Sequence, residues 1–173
     1  DYRLKNGDVL KLDAGVNYSP RGGASKGYFT DAAITVIIGK APARTKRLVE
    51  ITEKALEAAL EVCKPGNHLG DIGYAIERLV KKQGFKVIQG LTGHGVGFEL
   101  HEDPTVYNYG RKGEGMELKP GLVLAIEPMI SIGSPYVHQK SDDSYATEDR
   151  SVSAHFEHTI VITQNGCEVL TRS

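Results

Sequence analysis

Residues 8–39 read "DVLKLDAGVNYSPRGGASKGYFTDAAITVIIG". Apolar and polar residues alternate through 8–16, the period of a strand with one buried face. The middle, "SPRGGASKG" (19–27), consists of turn formers and predicts a loop. A β-rich run then fills 28–39 and stops at Gly39. Two strands joined by one loop pair most readily with each other, so an antiparallel hairpin is expected. Each arm holds an aspartate among apolar neighbours, Asp13 in "LKLDAGV" and Asp31 in "FTDAAITV".

Outward from this hairpin the period lengthens. Leu48, Ile51, Ala55, Ala59 and Val62 recur at helical spacing within 43–63, and "KPG" then stops the helix. Leu69, Ile72, Ile76 and Leu79 predict a second helix over 68–83. Strands are expected around "KVIQG" (86–90) and along "LVLAIEPMISI" (122–132). Residues 133–150 read as a polar loop, and "SVSAHFEHTIVITQNGCEVLT" (151–171) as two strands about the turn "QNG". Strands, then helices, then strands define an α+β domain over 1–173 with a largely antiparallel sheet.

The bulk properties exclude several roles. A net charge of -1 from 21 basic and 22 acidic residues gives no electrostatic basis for nucleic-acid or anionic-membrane binding. No apolar run approaches the roughly 18 residues that span a bilayer. Cys63 and Cys167, far apart in sequence, read as reduced thiols of a cytoplasmic protein. The chain opens without methionine almost directly in a strand, as a fragment would.

Two further acids stand in apolar strands, Glu127 in "VLAIEPMI" and Glu157 in "AHFEHTIVI". A single buried carboxylate is commonly satisfied by hydrogen bonds. Four in one small domain make that reading less apt, and four that share a site repel each other unless cations neutralise them. Pro128 cannot donate to a ladder, so the strand must end, bulge or lie at an edge beside Glu127. In "LTGHGVGFELHEDP" (91–104), Gly93 and Gly95 leave the His94 ring uncrowded enough to reach a metal. Four carboxylates and one imidazole suit a pair of ions such as manganese, iron or cobalt better than a structural zinc site. His101 is free to hydrogen-bond a substrate carbonyl or oxyanion instead. His155 and Glu157 share a face of their strand and His158 points to the other. These two histidines read as structural or surface residues.

In order, "GHGVG" (93–97), "HEDP" (101–104), "IEPM" (126–129) and "FEHTIVIT" (156–163), after two strand aspartates, resemble the methionine aminopeptidases of type I. "KPG" (64–66), "LGDIG" (69–73) and "NYG" (108–110) agree. The resemblance implies a pita-bread fold, mainly antiparallel sheet with helices packed on one side. It implies a cytoplasmic hydrolase that removes the N-terminal methionine from peptides and newly made proteins. Two divalent ions, cobalt, manganese, iron or zinc, would be its cofactors. Asp13 and Asp31 would ligate one ion, with Asp31 bridging. His94 and Glu127 would ligate the other, and Glu157 would bridge both. His101 would contact the substrate carbonyl and Leu100 would line the methionine pocket. A metal-bound hydroxide would attack, with Glu127 carrying the proton.

The chain departs from that family in three places. Seventeen residues lie between Asp13 and Asp31, more than in the family, and the excess is expected in the 19–27 loop, where added length costs little. Leu100 stands where phenylalanine is common. Only twelve residues precede Asp13, whereas the family has a long N-terminal part with further strands, helices, pocket residues and a histidine. Without that segment as partner, the chain is expected to be a poor catalyst with an apolar surface near Val9, Leu10 and Leu12. The resemblance leaves two alternatives. An X-Pro aminopeptidase or prolidase shares the fold and the ligands, although "IEPM" and "FEHT" favour the methionine enzyme. A non-catalytic peptide-binding relative would be expected to have lost ligands, and all five are present.

Overall fold

The computed structural model describes residues 2–19 and 27–172. The expected 19–27 loop lies, apart from its two end residues, outside the described residues. Strands β1 (Val9–Tyr18) and β2 (Tyr28–Ile37) form the expected antiparallel hairpin, in unbroken register from Val9 opposite Ile37 to Tyr18 opposite Tyr28. Helices α1 (Ala43–Val62) and α2 (Leu69–Lys82) follow. Between them the chain turns at Gly66, whose φ of 86° suits a residue without Cβ. At the start of α2, the Asp71 carboxylate accepts the His68 backbone N–H at 2.8 Å, placing negative charge at the positive helix end.

The remaining strands are β3 (Lys86–Val87), β4 (Gly93–Gly95), β5 (Glu102–Val106), β6 (Val123–Ile126), β7 (Met129–Ser131), β8 (Val137–Gln139), β9 (Tyr145–Thr147), β10 (Ser153–His155), β11 (Glu157–Ile162) and β12 (Cys167–Val169). A seven-stranded sheet runs β1-β2-β11-β6-β4-β5, with β12 also on β11, and every pairing is antiparallel. Strands β10-β7-β3 make a second sheet and β8-β9 a separate hairpin.

The run 122–132 is two strands in different sheets, β6 and β7, and the break expected beside Glu127 is what divides them. Two expectations need correction. Residues 133–150 are not merely loop, because Val137–Thr147 folds back as β8 and β9. Its mostly polar sequence hides these strands from a hydrophobic-period reading. The C-terminal segment holds three strands, since Phe156 separates β10 from β11 as the chain passes between sheets.

Alternation divides the main sheet into two faces. Leu124 and Ile126 of β6 and Ile160 and Ile162 of β11 join Leu48 and Ile51 of α1 and Ile72 and Ile76 of α2 in one core. The helices therefore cover one face, and Ala125, Glu157 and Thr159 lie on the other. Strand β1 is at the sheet edge and mostly exposed; Val9 and Leu10 are half-buried, while Leu12 is 49% exposed. Among the described residues no helix is long and apolar enough to cross a membrane.

Candidate metal centre

Partners in an antiparallel ladder share a face, so register alone assembles most of the site. Asp13 is opposite Ala33, which is opposite Glu157. Asp31 is opposite Gly15, two residues along from those positions on both strands. His94 is opposite Ala125, which is opposite Thr159. Glu127 comes two residues after Ala125, at the break that Pro128 imposes. All five acid and imidazole positions picked from sequence thus fall on the face turned from the helices.

Their side chains meet there. His94 Nε2 lies 3.4 Å from Glu127 Oε1. Ligand-type atoms fall within 4.8 Å of one another in three overlapping groups: Asp31 with His94 and His101, Asp13 with His155 and Glu157, and His94 with Glu127 and Glu157. The His101 ring is 4.4 Å from that of His94, and its side chain is exposed. Leu100 packs over β1: a Cβ added at Gly15 would come 2.8 Å from Leu100 Cδ1.

Of the two readings open for His155, structural or surface, burial excludes the second: it is only 7% exposed, with Nε2 3.3 Å from Glu127 Oε2 and Nδ1 3.8 Å from Asp13 Oδ2, which puts it among the site residues. The signal was available, since alternation already put it on the face of Glu157. The glycines around His94 also acquire a different reason. A Cβ at Gly93 would stand 2.4 Å from the Ala125 carbonyl oxygen, and one at Gly95 2.2 Å from that of Asp103. They let β4 fit between β5 and β6, rather than only clearing space for the ring.

Three buried side chains fix the site backbone, and sequence reasoning passed over them. Thr159 Oγ1 accepts the Asp31 N–H and donates to the Asp31 carbonyl, both at 2.8 Å. Thr35 Oγ1 does the same for His155, accepting its N–H at 2.8 Å and donating to its carbonyl at 2.6 Å. Asn108 donates to the Glu127 carbonyl at 3.0 Å, which steadies the chain where the ladder stops. His94 Nδ1 is 2.8 Å from the Gly95 carbonyl, which can only accept. That bond puts the proton on Nδ1 and leaves the Nε2 lone pair facing Glu127.

The electrostatics call for a cation. Burial, reinforced by the charges of Asp13 and Asp31, pushes the Glu127 carboxyl up to about 9. Burial and then neighbouring Glu127, Asp31 and Asp13 push Glu157 up to about 9. Asp31 is raised by burial and by Asp13, while burial lowers both His94 and His155. Glu157 Oε1 and His155 Nε2 are buried without a hydrogen-bond partner among the described residues. A divalent cation would satisfy these orphaned donors and relieve the repulsion, so the residues present fit one. Beside them opens a cleft of about 480 Å³ lined by Asp13, His94, His101 and Glu127 and by apolar Ile88, Leu91, Met129 and Val137.

A curled antiparallel sheet, helices on its outer face and acids with imidazoles on the inner one, is the architecture of the pita-bread metallohydrolases. The chain belongs to metallopeptidase family M24, whose pattern matches residues 1–164. It is 43% identical over 170 residues to methionine aminopeptidase 1 of Bacillus subtilis, covering 98% of this chain and 66% of that protein. The crystal structure of methionine aminopeptidase from Thermotoga maritima superposes with a TM-score of 0.92 at 46% identity, over 98% of this chain and 66% of that one. The prolidase of Pyrococcus horikoshii has the same fold at a TM-score of 0.77 and 28% identity, and this chain covers 42% of it. This chain therefore spans just under two thirds of the length of the Bacillus and Thermotoga proteins.

Proposed function

We propose that this chain carries the metal centre of a cytoplasmic methionyl aminopeptidase, which hydrolyses the bond after the N-terminal methionine of a peptide or nascent protein. The observation that carries this reading is the convergence of Asp13, Asp31, His94, Glu127 and Glu157 beside an apolar wall. Relatives at 43% and 46% identity bear the methionine aminopeptidase name, against 28% for the prolidase. Two divalent ions, manganese, iron, cobalt or zinc, would be held by Asp13, Asp31, His94, Glu127 and Glu157. Bound there, they would supply Lewis-acid activation of water and neutralise the clustered acids.

The side chains have distinct tasks. Glu127, fixed through Asn108, takes a proton from the attacking water and delivers it to the leaving amine. His101, exposed beside His94, donates a hydrogen bond to the substrate carbonyl oxygen. Ile88, Leu91, Met129 and Val137 line the space for the methionine side chain, with Leu100 on the same turn as His101. Metal analysis together with peptide cleavage tests the whole reading. Loaded with metal and joined to the N-terminal segment that the family resemblance implies, the protein should release methionine from Met-Ala-Ser and leave Ala-Pro intact. Preference for Ala-Pro would move it to the X-Pro enzymes, and failure to bind any divalent ion would overturn it. In the active protein, His101→Ala should lower kcat and keep its ions, whereas Glu127→Ala should lose both activity and metal affinity.

A further inference from the structure

One buried nitrogen near these acids has no task in that scheme. We propose that His155 Nε2 is a direct donor to a divalent cation at this centre, making it a second imidazole ligand beside His94. The proposal rests on the metal-centre reading above.

Geometry supports it from four sides. The residue is only 7% exposed, and Nε2 has no hydrogen-bond partner among the described residues. Burying a ring nitrogen without a partner is costly, so a lone pair kept there implies a ligand. The ring stands between two acids, Nε2 3.3 Å from Glu127 Oε2 and Nδ1 3.8 Å from Asp13 Oδ2, and a ligand atom of His155 lies within 4.8 Å of those of Asp13 and Glu157. At 3.8 Å the Asp13 contact is too long to hold a proton on either ring nitrogen, so the tautomer that leaves Nε2 bare, the usual setting of a metal-bound histidine, is open to the ring. Thr35 grips both the N–H and the carbonyl of His155, so the ring is delivered from a fixed backbone. His155 also reaches the centre from β10, in a different sheet from the strands that carry Asp13, Asp31, His94 and Glu157.

The chemical consequence is a set of four carboxylates and two imidazoles. More imidazole nitrogen shifts preference from manganese toward cobalt and zinc. His155→Gln should therefore weaken cobalt binding at least about tenfold, the scale on which even outer partners of a metal site act. Manganese affinity should fall less. His158→Gln is the control. That ring pairs with the Thr171 hydroxyl at 2.9 Å on the opposite face, and its loss should change neither affinity.

The experiment uses the whole chain loaded with copper, in which pulsed electron paramagnetic resonance counts coordinated imidazoles. Two are expected, falling to one in His155→Gln. Nitrogen NMR of the unsubstituted protein titrated with zinc gives the same answer without any variant. The Nε2 resonances of both His94 and His155 should move as directly bound nitrogens. Metal bound through a single imidazole, with His155 Nε2 unmoved, would overturn the assignment while leaving the centre intact. No metal bound at all would overturn the centre and this assignment together.

Discussion

Glu127 and Glu157 are forced into a space where neither ionises easily, and the two acids make that strain measurable. Burial and neighbouring acids raise both from an ordinary 4.5 to about 9. In metal-free protein the unfolded chain therefore releases these protons first as pH rises. Stability falls from about 4.5 upward and levels off near 9. His94 and His155, lowered from 6.5 by burial, act with opposite sign and weaken the fold as pH drops below that value. The melting temperature of chelator-treated protein should thus decline steadily between about pH 6.5 and 9, and added manganese should flatten the decline. A metal-free melting temperature that rises over this window would contradict the picture. Thr159→Val keeps the shape and strips Asp31 of both hydrogen bonds, which should cost about 1–3 kcal/mol in chemical denaturation. Asp13, Asp31, Glu127 and Glu157 were legible in the sequence because a charge within an apolar strand violates the pattern. Thr35, Thr159 and Asn108 were not, because threonine is an ordinary strand former and nothing local marks its bonding partner.

Among the elements, β4 depends most on what it lacks. With neighbours on both sides, it passes between carbonyl oxygens that a methyl group at Gly93 or Gly95 would strike at 2.4 and 2.2 Å. Gly93→Ala and Gly95→Ala should each destabilise by about 1–3 kcal/mol, read as a lower denaturant midpoint, and should displace His94 enough to weaken metal binding. Gly113→Ala, where an added Cβ meets open space, is a fair comparison, although its φ of 74° adds backbone strain. The helices could be read from periodicity because their buried faces are long, and the first hairpin from two β-rich runs about one stretch of turn formers, although β1 itself is mostly exposed. The strands of β6 to β11 are short and change sheets at Pro128 and Phe156, and periodicity within one segment carries no record of which sheet it joins.

Across the whole molecule, donors come from the exposed edge strand β1 as well as from buried β11 and from Glu127 at the end of buried β6. A cation shared by Asp13 and Glu157 would therefore fasten the edge to the interior. Hydrogen exchange should read this directly: amides of Val9–Tyr18 should slow on metal addition, while those of β6 and β11 barely change. Uniform slowing everywhere would mean that the ions stabilise the fold globally instead. The paired threonines have a further consequence. Strand β2 matches Glu157 and His158 by backbone pairing, and beyond each end of that short match a threonine hydroxyl takes over both bonds of one residue. A side chain that imitates a peptide group is a spacer, allowing strands to spread by its own width without losing a bond. It follows that evolution can adjust the aperture at these two positions with few options. Serine preserves the two-way link, valine preserves only the bulk, and a variant library selected for a working protein should retain a hydroxyl at 35 and 159 while tolerating far more at neighbouring positions.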